Sequence, residues 1–160
     1  MHFIEVCGTH LNLFAFHCFI LQDWKTYKDL ICCRHAVGES VFKGIPEDMD
    51  RIANEIELRG FARFALANVP THPLWDSWDS WDSYDSPAGT LLVNPTEVSS
   101  IAPVLMHGEP VEVASSVLID GWSRLVQGRP AEVVARLNAA ERRSQKAGVK
   151  DAIPWTSRRP

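Results

Sequence analysis

The chain of 160 residues has no run approaching the roughly 18 apolar residues of a membrane-spanning helix. Its best approach, Leu11 to Leu21, is interrupted by Asn12 and His17. No lysine or arginine precedes that stretch, and a secretory leader opens with basic residues. A soluble, cytoplasmic protein with no membrane partner is therefore expected, and its four cysteines should stay reduced. Cysteine is absent beyond Cys33, so no disulfide framework is read into the remainder. A hydrophobic content of 46% and a charged content of 22% are ordinary for one globular domain with appendages.

Charge is distributed unevenly. Residues 1–119 hold 7 Lys/Arg and 16 Asp/Glu, a net of −9, whereas residues 120–160 hold 9 and 4, a net of +5. A basic end can meet nucleic acid or phosphate. Arg136, Arg142, Arg143 and Lys146 could equally line a solvated helix face.

The segment Val117-Leu118-Ile119-Asp120-Gly121-Trp122-Ser123-Arg124-Leu125 reads as a short buried strand, a sharp turn and the start of a helix. A helix N-terminus carries unpaired N–H groups and a partial positive charge. With Arg124 in the first turn, Asp120, Gly121, Ser123 and Arg124 would form a small phosphate site. The same junction also serves plain chain connection in many α/β proteins.

This segment resembles the apolar-apolar-Asp-Gly-x-x-Arg-Leu motif of ParB-like and sulfiredoxin-like domains of phage or plasmid type. Phe64–Pro70 resembles the opening strand of that family, Asn94–Val98 its early helix start, and Ala102–Leu105 the strand before the motif. The resemblance covers about residues 60–137. It implies nucleotide phosphates held at the Asp120-Gly121 turn by Arg124, a nucleoside triphosphate with Mg²⁺ as cofactor, and in some relatives nuclease or NTPase activity. Sulfiredoxin chemistry is not implied, because the turn carries no cysteine.

Residues 1–45 read as an irregular extension rich in aromatics, suited to a docking or dimerisation arm. His2 to Cys7 suggests a strand, and Leu11 to Leu30 a helix or two short pieces. Cys7-Gly8-Thr9-His10 and Cys32-Cys33-Arg34-His35 each place a Cys and a His three apart. Cys7, His10, Cys32 and His35 could complete a tetrahedral zinc site, or the cysteines could be small core residues. Cys18 and Cys33 have no part in that scheme.

Residues 46–147 read as the core. Pro46 and Glu47-Asp48 suit a helix start, and Met49, Ile52, Ala53, Ile56 and Leu58 form its apolar stripe, with Gly60 as the stop. Phe61 to Val69, Leu91 to Val93, Val104 to Met106 and the valines from Val111 to Val117 read as strands. His107-Gly108-Glu109-Pro110 reads as a turn, with His107 and Glu109 as candidate acid-base groups. Pro130 opens a helix with Val133, Val134, Leu137 and Ala140 on one face. Gly148 is its expected end, and residues 148–160 a flexible basic tail.

Residues 75–86 repeat aromatic-Asp-Ser four times. A period of three suits neither helix nor strand, so an exposed low-complexity loop is expected. The tract can be a neutral expansion. It can also bind a protein partner through Trp75, Asp76, Trp78, Asp79, Trp81, Asp82 and Tyr84. Calcium is disfavoured, because the tract has no glycine and lacks the EF-hand spacing.

The expected fold class is α+β, a small mixed sheet with flanking helices. Two functions from different classes remain open. One is a nucleotide- or DNA-binding protein of ParB-like type, with enzymatic activity undecided. The other is a non-catalytic inhibitor of a host nucleic-acid system, acting by contact through loop 75–86.

Overall fold

A computed structural model of the chain describes residues 2–34, 38–67 and 89–156. The class is α+β. β1 (Phe3–Val6) and β2 (Thr9–Asn12) form a hairpin, followed by a 3-10 turn at Leu13–Ala15. β3 (Cys18–Asp23), β4 (Lys28–Arg34) and β5 (Gly38–Gly44) make a meander that leads into α1 (Pro46–Leu58). β6 (Ala62–Ala65) and β7 (Gly89–Val93) come next, then a 3-10 turn at Pro95–Glu97. β8 (Val98–Met106), β9 (Glu109–Ile119) and β10 (Trp122–Gln127) precede α2 (Pro130–Thr156).

Five strands form the central antiparallel sheet, in the order β5-β4-β3-β7-β6. β10-β9-β8 form a second sheet and β1-β2 a small third one. One face of the central sheet packs on α1 and the β1-β2 hairpin, through Phe19, Leu21, Leu30, Met49, Ile56 and Phe61. The other face packs on the second sheet and α2, through Phe64, Leu91, Val117, Ile119, Val126 and Val133. The two larger sheets join where Ala67 N donates to the Leu125 carbonyl and Leu66 bridges Val126.

The irregular extension expected over residues 1–45 is overturned: that stretch supplies five strands, three of them in the central sheet. The physical reason is burial on both faces. Cys18 to Leu21 are all buried, so β3 shows no polar-apolar alternation for a sequence reading to detect.

Three hairpins share one turn. Cys7-Gly8, His107-Gly108 and Asp120-Gly121 each have positive φ at both residues, 49 and 80°, 54 and 82°, and 49 and 80°. Each spans a two-residue loop, with Val6 opposite Thr9, Met106 opposite Glu109 and Ile119 opposite Trp122. This is the type I′ turn, whose twist matches that of the strands it joins.

α1 follows the expected stripe: Met49, Ile52, Ala53 and Ile56 are buried, while Leu58 faces solvent. α2 buries Val133, Leu137 and Ala140 and leaves Val134 exposed. It does not stop at Gly148 but continues to Thr156, so the expected flexible tail begins as helix. Among the described residues, no helix is long and apolar enough to cross a membrane.

Candidate functional site

β6 is the edge strand of the central sheet, and α2 runs beside it. Small side chains at Ala62, Ala65 and Ala139 leave room between the two, and a cavity of about 450 Å³ opens there. Arg63, Arg136, Arg143, Glu57, Phe64 and Thr90 complete its lining. Three arginines and one glutamate thus line the groove, with the Arg63 guanidinium turned to Asn54 and Glu57 of α1. The groove runs on toward Gly128 as a second space of about 240 Å³, which shares Phe64, Ala65 and Arg136.

Main-chain carbonyls hold two of these arginines. Arg136 donates from Nη1 to the Arg63 carbonyl at 3.2 Å, and its guanidinium lies 5.8 Å from the Phe64 ring centroid. Arg143 donates from Nε to the Glu57 carbonyl at 3.4 Å and from Nη2 to the Phe61 carbonyl at 3.2 Å. Arg63 donates to Asn54 Oδ1 at 2.7 Å and lies 3.5 Å from the Glu57 carboxylate. Bonds to neutral carbonyls orient Arg136 and Arg143 without neutralising them, and a planar guanidinium retains further N–H donors for an anion.

The phosphate turn expected at Asp120, Gly121, Ser123 and Arg124 takes a different form. Gly121 joins β9 to β10, not a strand to a helix, so its strand-turn-helix geometry is corrected to a hairpin. The next helix begins at Pro130, and no helix N-terminus supplies converging N–H groups at the turn. Asp120, Gly121 and Ser123 are exposed. Arg124 pairs in register with buried Val117, which turns its side chain toward the central sheet. There its charge acts on Cys18 and Cys33.

The described members of the expected zinc set do not converge. Cys7 and His10 belong to the β1-β2 hairpin, and the exposed Cys7 thiol donates to the Lys43 carbonyl at 3.5 Å. Cys32 is buried in the core under α1, on the opposite face of β4 from Cys33. His35 lies outside the described residues, as does the whole aromatic-acidic tract from Trp75 to Tyr84. His107 occupies the first position of a type I′ turn, beside exposed Glu109.

Among the described residues, the metal-ligating side chains that do converge are His17, Cys18 and Cys33, all buried, with their donor atoms within 4.8 Å of one another. Cys18 and Cys33 stand directly opposite each other on β3 and β4. The Cys18 thiol donates to Cys33 sulfur, which holds Cys33 below the ordinary thiol value despite burial, and Arg124 adds to that lowering. The same bond, together with burial, drives Cys18 upward. Burial also pushes the Cys32 thiol up to about 12.

Neither the groove nor this cluster is legible along the chain. Arg136 and Arg143 are visible there only as part of a basic end, and Arg63 carries no signal of its own. Cys18 and Cys33 become partners once the turn between Asp23 and Lys28 is recognised as that of a hairpin.

Comparison with known proteins gave no match to any family model, curated protein or solved structure.

Proposed function

We propose that the chain binds a phosphate-bearing ligand of nucleotide size in the groove between β6 and α2. The observation that carries this reading is the convergence of Arg63, Arg136 and Arg143 on one cavity of about 450 Å³, a volume typical of small-ligand sites. With Glu57 as the one acidic lining residue, the formal charge of the lining is +2. A phosphate group complements that charge, and guanidinium matches its oxygens in a two-pronged geometry. Thr90 and Glu57 offer polar groups for the remainder of the ligand. This keeps the ligand chemistry expected from the basic C-terminal quarter of the sequence and moves it from the Asp120-Gly121 turn to the edge of the central sheet.

Thermal melting with CTP, ATP and GTP, each with Mg²⁺, and with inorganic phosphate tests the reading. Wild type should gain stability with at least one nucleotide. The gain should shrink in Arg136→Ala and Arg63→Ala and persist undiminished in Arg124→Ala. Loss in Arg124→Ala alone would return the site to the hairpin turn, and no gain with any ligand would sink the proposal.

A further inference from the structure

A second site stands apart from the groove. We propose that His17, Cys18 and Cys33 hold a zinc-type divalent cation between β3 and β4, with its fourth position open toward Glu39 on β5.

Main-chain geometry puts the three donors in place. Cys18 and Cys33 are register partners on adjacent antiparallel strands, so both sulfurs leave the same face of the sheet. His17 sits where the chain leaves the first 3-10 turn. Its N–H donates to the Cys33 carbonyl at 3.1 Å, and its own carbonyl accepts from Asn94 N at 3.0 Å. The imidazole-bearing residue is thereby tied to the strand that carries one of the two sulfurs. The donor atoms lie within 4.8 Å of one another. Tetrahedral zinc, with bonds of ~2.3 Å to sulfur and ~2.1 Å to nitrogen, needs its ligand atoms roughly 3.5–4 Å apart, a span that small side-chain rotations supply.

The chemistry of the set selects the ion. Two sulfurs and an imidazole favour zinc over magnesium or calcium, which require oxygen ligands. Binding releases the two thiol protons to solvent. Two thiolates then neutralise the dication, which permits burial of the unit. Glu39 is the register partner of Cys33 on β5, so its carboxylate belongs to the same cross-sheet row. Arg124 and Glu39 both act electrostatically on Cys18 and Cys33, with opposite signs. Cys7 and Cys32 lie elsewhere, one on a hairpin turn and the other on the opposite face of β4.

The test uses the full chain, Zn²⁺ and Co²⁺. Protein purified under reducing conditions and passed over a desalting column after incubation with Zn²⁺ should retain one equivalent by elemental analysis. Co²⁺ should give the visible d–d bands of a tetrahedral site and a near-ultraviolet sulfur-to-cobalt charge-transfer band. Both signals should be lost in Cys33→Ser and persist in Cys7→Ser and Cys32→Ala. Because Cys33→Ser removes a buried group, a second readout uses wild type alone: zinc should protect Cys18 and Cys33 from alkylation, by peptide mapping, and leave Cys7 reactive. Failure of the folded wild type to retain either metal would overturn the proposal. So would binding that disappears in Cys7→Ser but survives in Cys33→Ser, or a Cys18–Cys33 disulfide as the form isolated under reducing conditions.

Discussion

Arg136 of α2 donates a hydrogen bond to the main-chain carbonyl of Arg63 on the edge strand β6, at 3.2 Å and across 73 positions of sequence. An edge strand presents unpaired carbonyls that would otherwise face water or another chain. Here a helix side chain caps one of them, and that contact also aims the guanidinium into the groove.

Arg136→Ala should therefore do two things at once. Loss of an exposed hydrogen bond and a cation–π contact should lower unfolding stability by about 1 kcal/mol. Loss of a guanidinium from the anion site should weaken phosphate-ligand affinity about ten-fold. Arg142→Ala, a neighbouring exposed position, should change neither. Urea denaturation and calorimetric titration of the two variants check this, and equal effects at both positions would remove the groove from consideration.

Gly60 and Gly121 should respond differently to alanine, although both have positive φ. At Gly60, with φ of 107°, an added Cβ would lie 2.5 Å from Ser144 Cβ and 2.8 Å from its Cα, so α2 itself would have to move. At Gly121, with φ of 80°, nothing stands within 4 Å. Gly60→Ala should cost ~3 kcal/mol or more, combining backbone strain with a clash, and Gly121→Ala about 1 kcal/mol from backbone strain alone. Denaturant midpoints of the two variants report the difference.

His107 should behave as a turn residue. Its φ of 54° suits asparagine better than histidine, and Asn-Gly is the favoured type I′ pair. His107→Asn should leave ligand binding unchanged and raise stability by about 0.5 kcal/mol. A fall in stability would show that the imidazole makes a contribution of its own.

Lys28 gives the fold a pH dependence. Its ammonium lies 2.7 Å from Asp50 on α1 and 2.9 Å from Asp23 at the end of β3, and these partners raise its pKa above 10.5. The folded state thus holds this proton more tightly than the unfolded chain. The resulting stability is fully present below 10.5 and is lost as pH rises through the higher folded value. Lys28→Met should cost about 1 kcal/mol at neutral pH, and the gap to wild type should narrow as pH climbs beyond 10.5. A gap that does not change with pH would mean the cost is one of packing.

Local features were legible to the extent that local physics governs them. The α1 stripe of Met49, Ile52, Ala53 and Ile56 emerges from 3.6-residue periodicity, and Pro46 marks the helix start without reference to the rest of the fold. Asn94 caps a turn as expected, its side chain accepting from Thr96 N, although that turn is a single 3-10 turn rather than the start of a longer helix. The Asp-Gly and His-Gly pairs were recognisable as turns, but the element after each turn is decided by partners distant in sequence. Trp122 to Gln127 extend because β9 offers a ladder, not because those six residues prefer a strand to a helix.

Sequence alone determined the α+β class, the two main helices, the positions of the Gly turns and the basic bias of the last quarter. Each of these arises from side-chain periodicity, backbone sterics or summed charge, which act within a few residues. Tertiary structure alone decided that residues 1–45 supply three of the five central strands, that Cys18 faces Cys33, and that Arg63 meets Arg136. Those relationships depend on strand register and on how α2 lies beside an edge strand, and pairing partners 15 to 73 residues apart leaves no periodic trace along the chain.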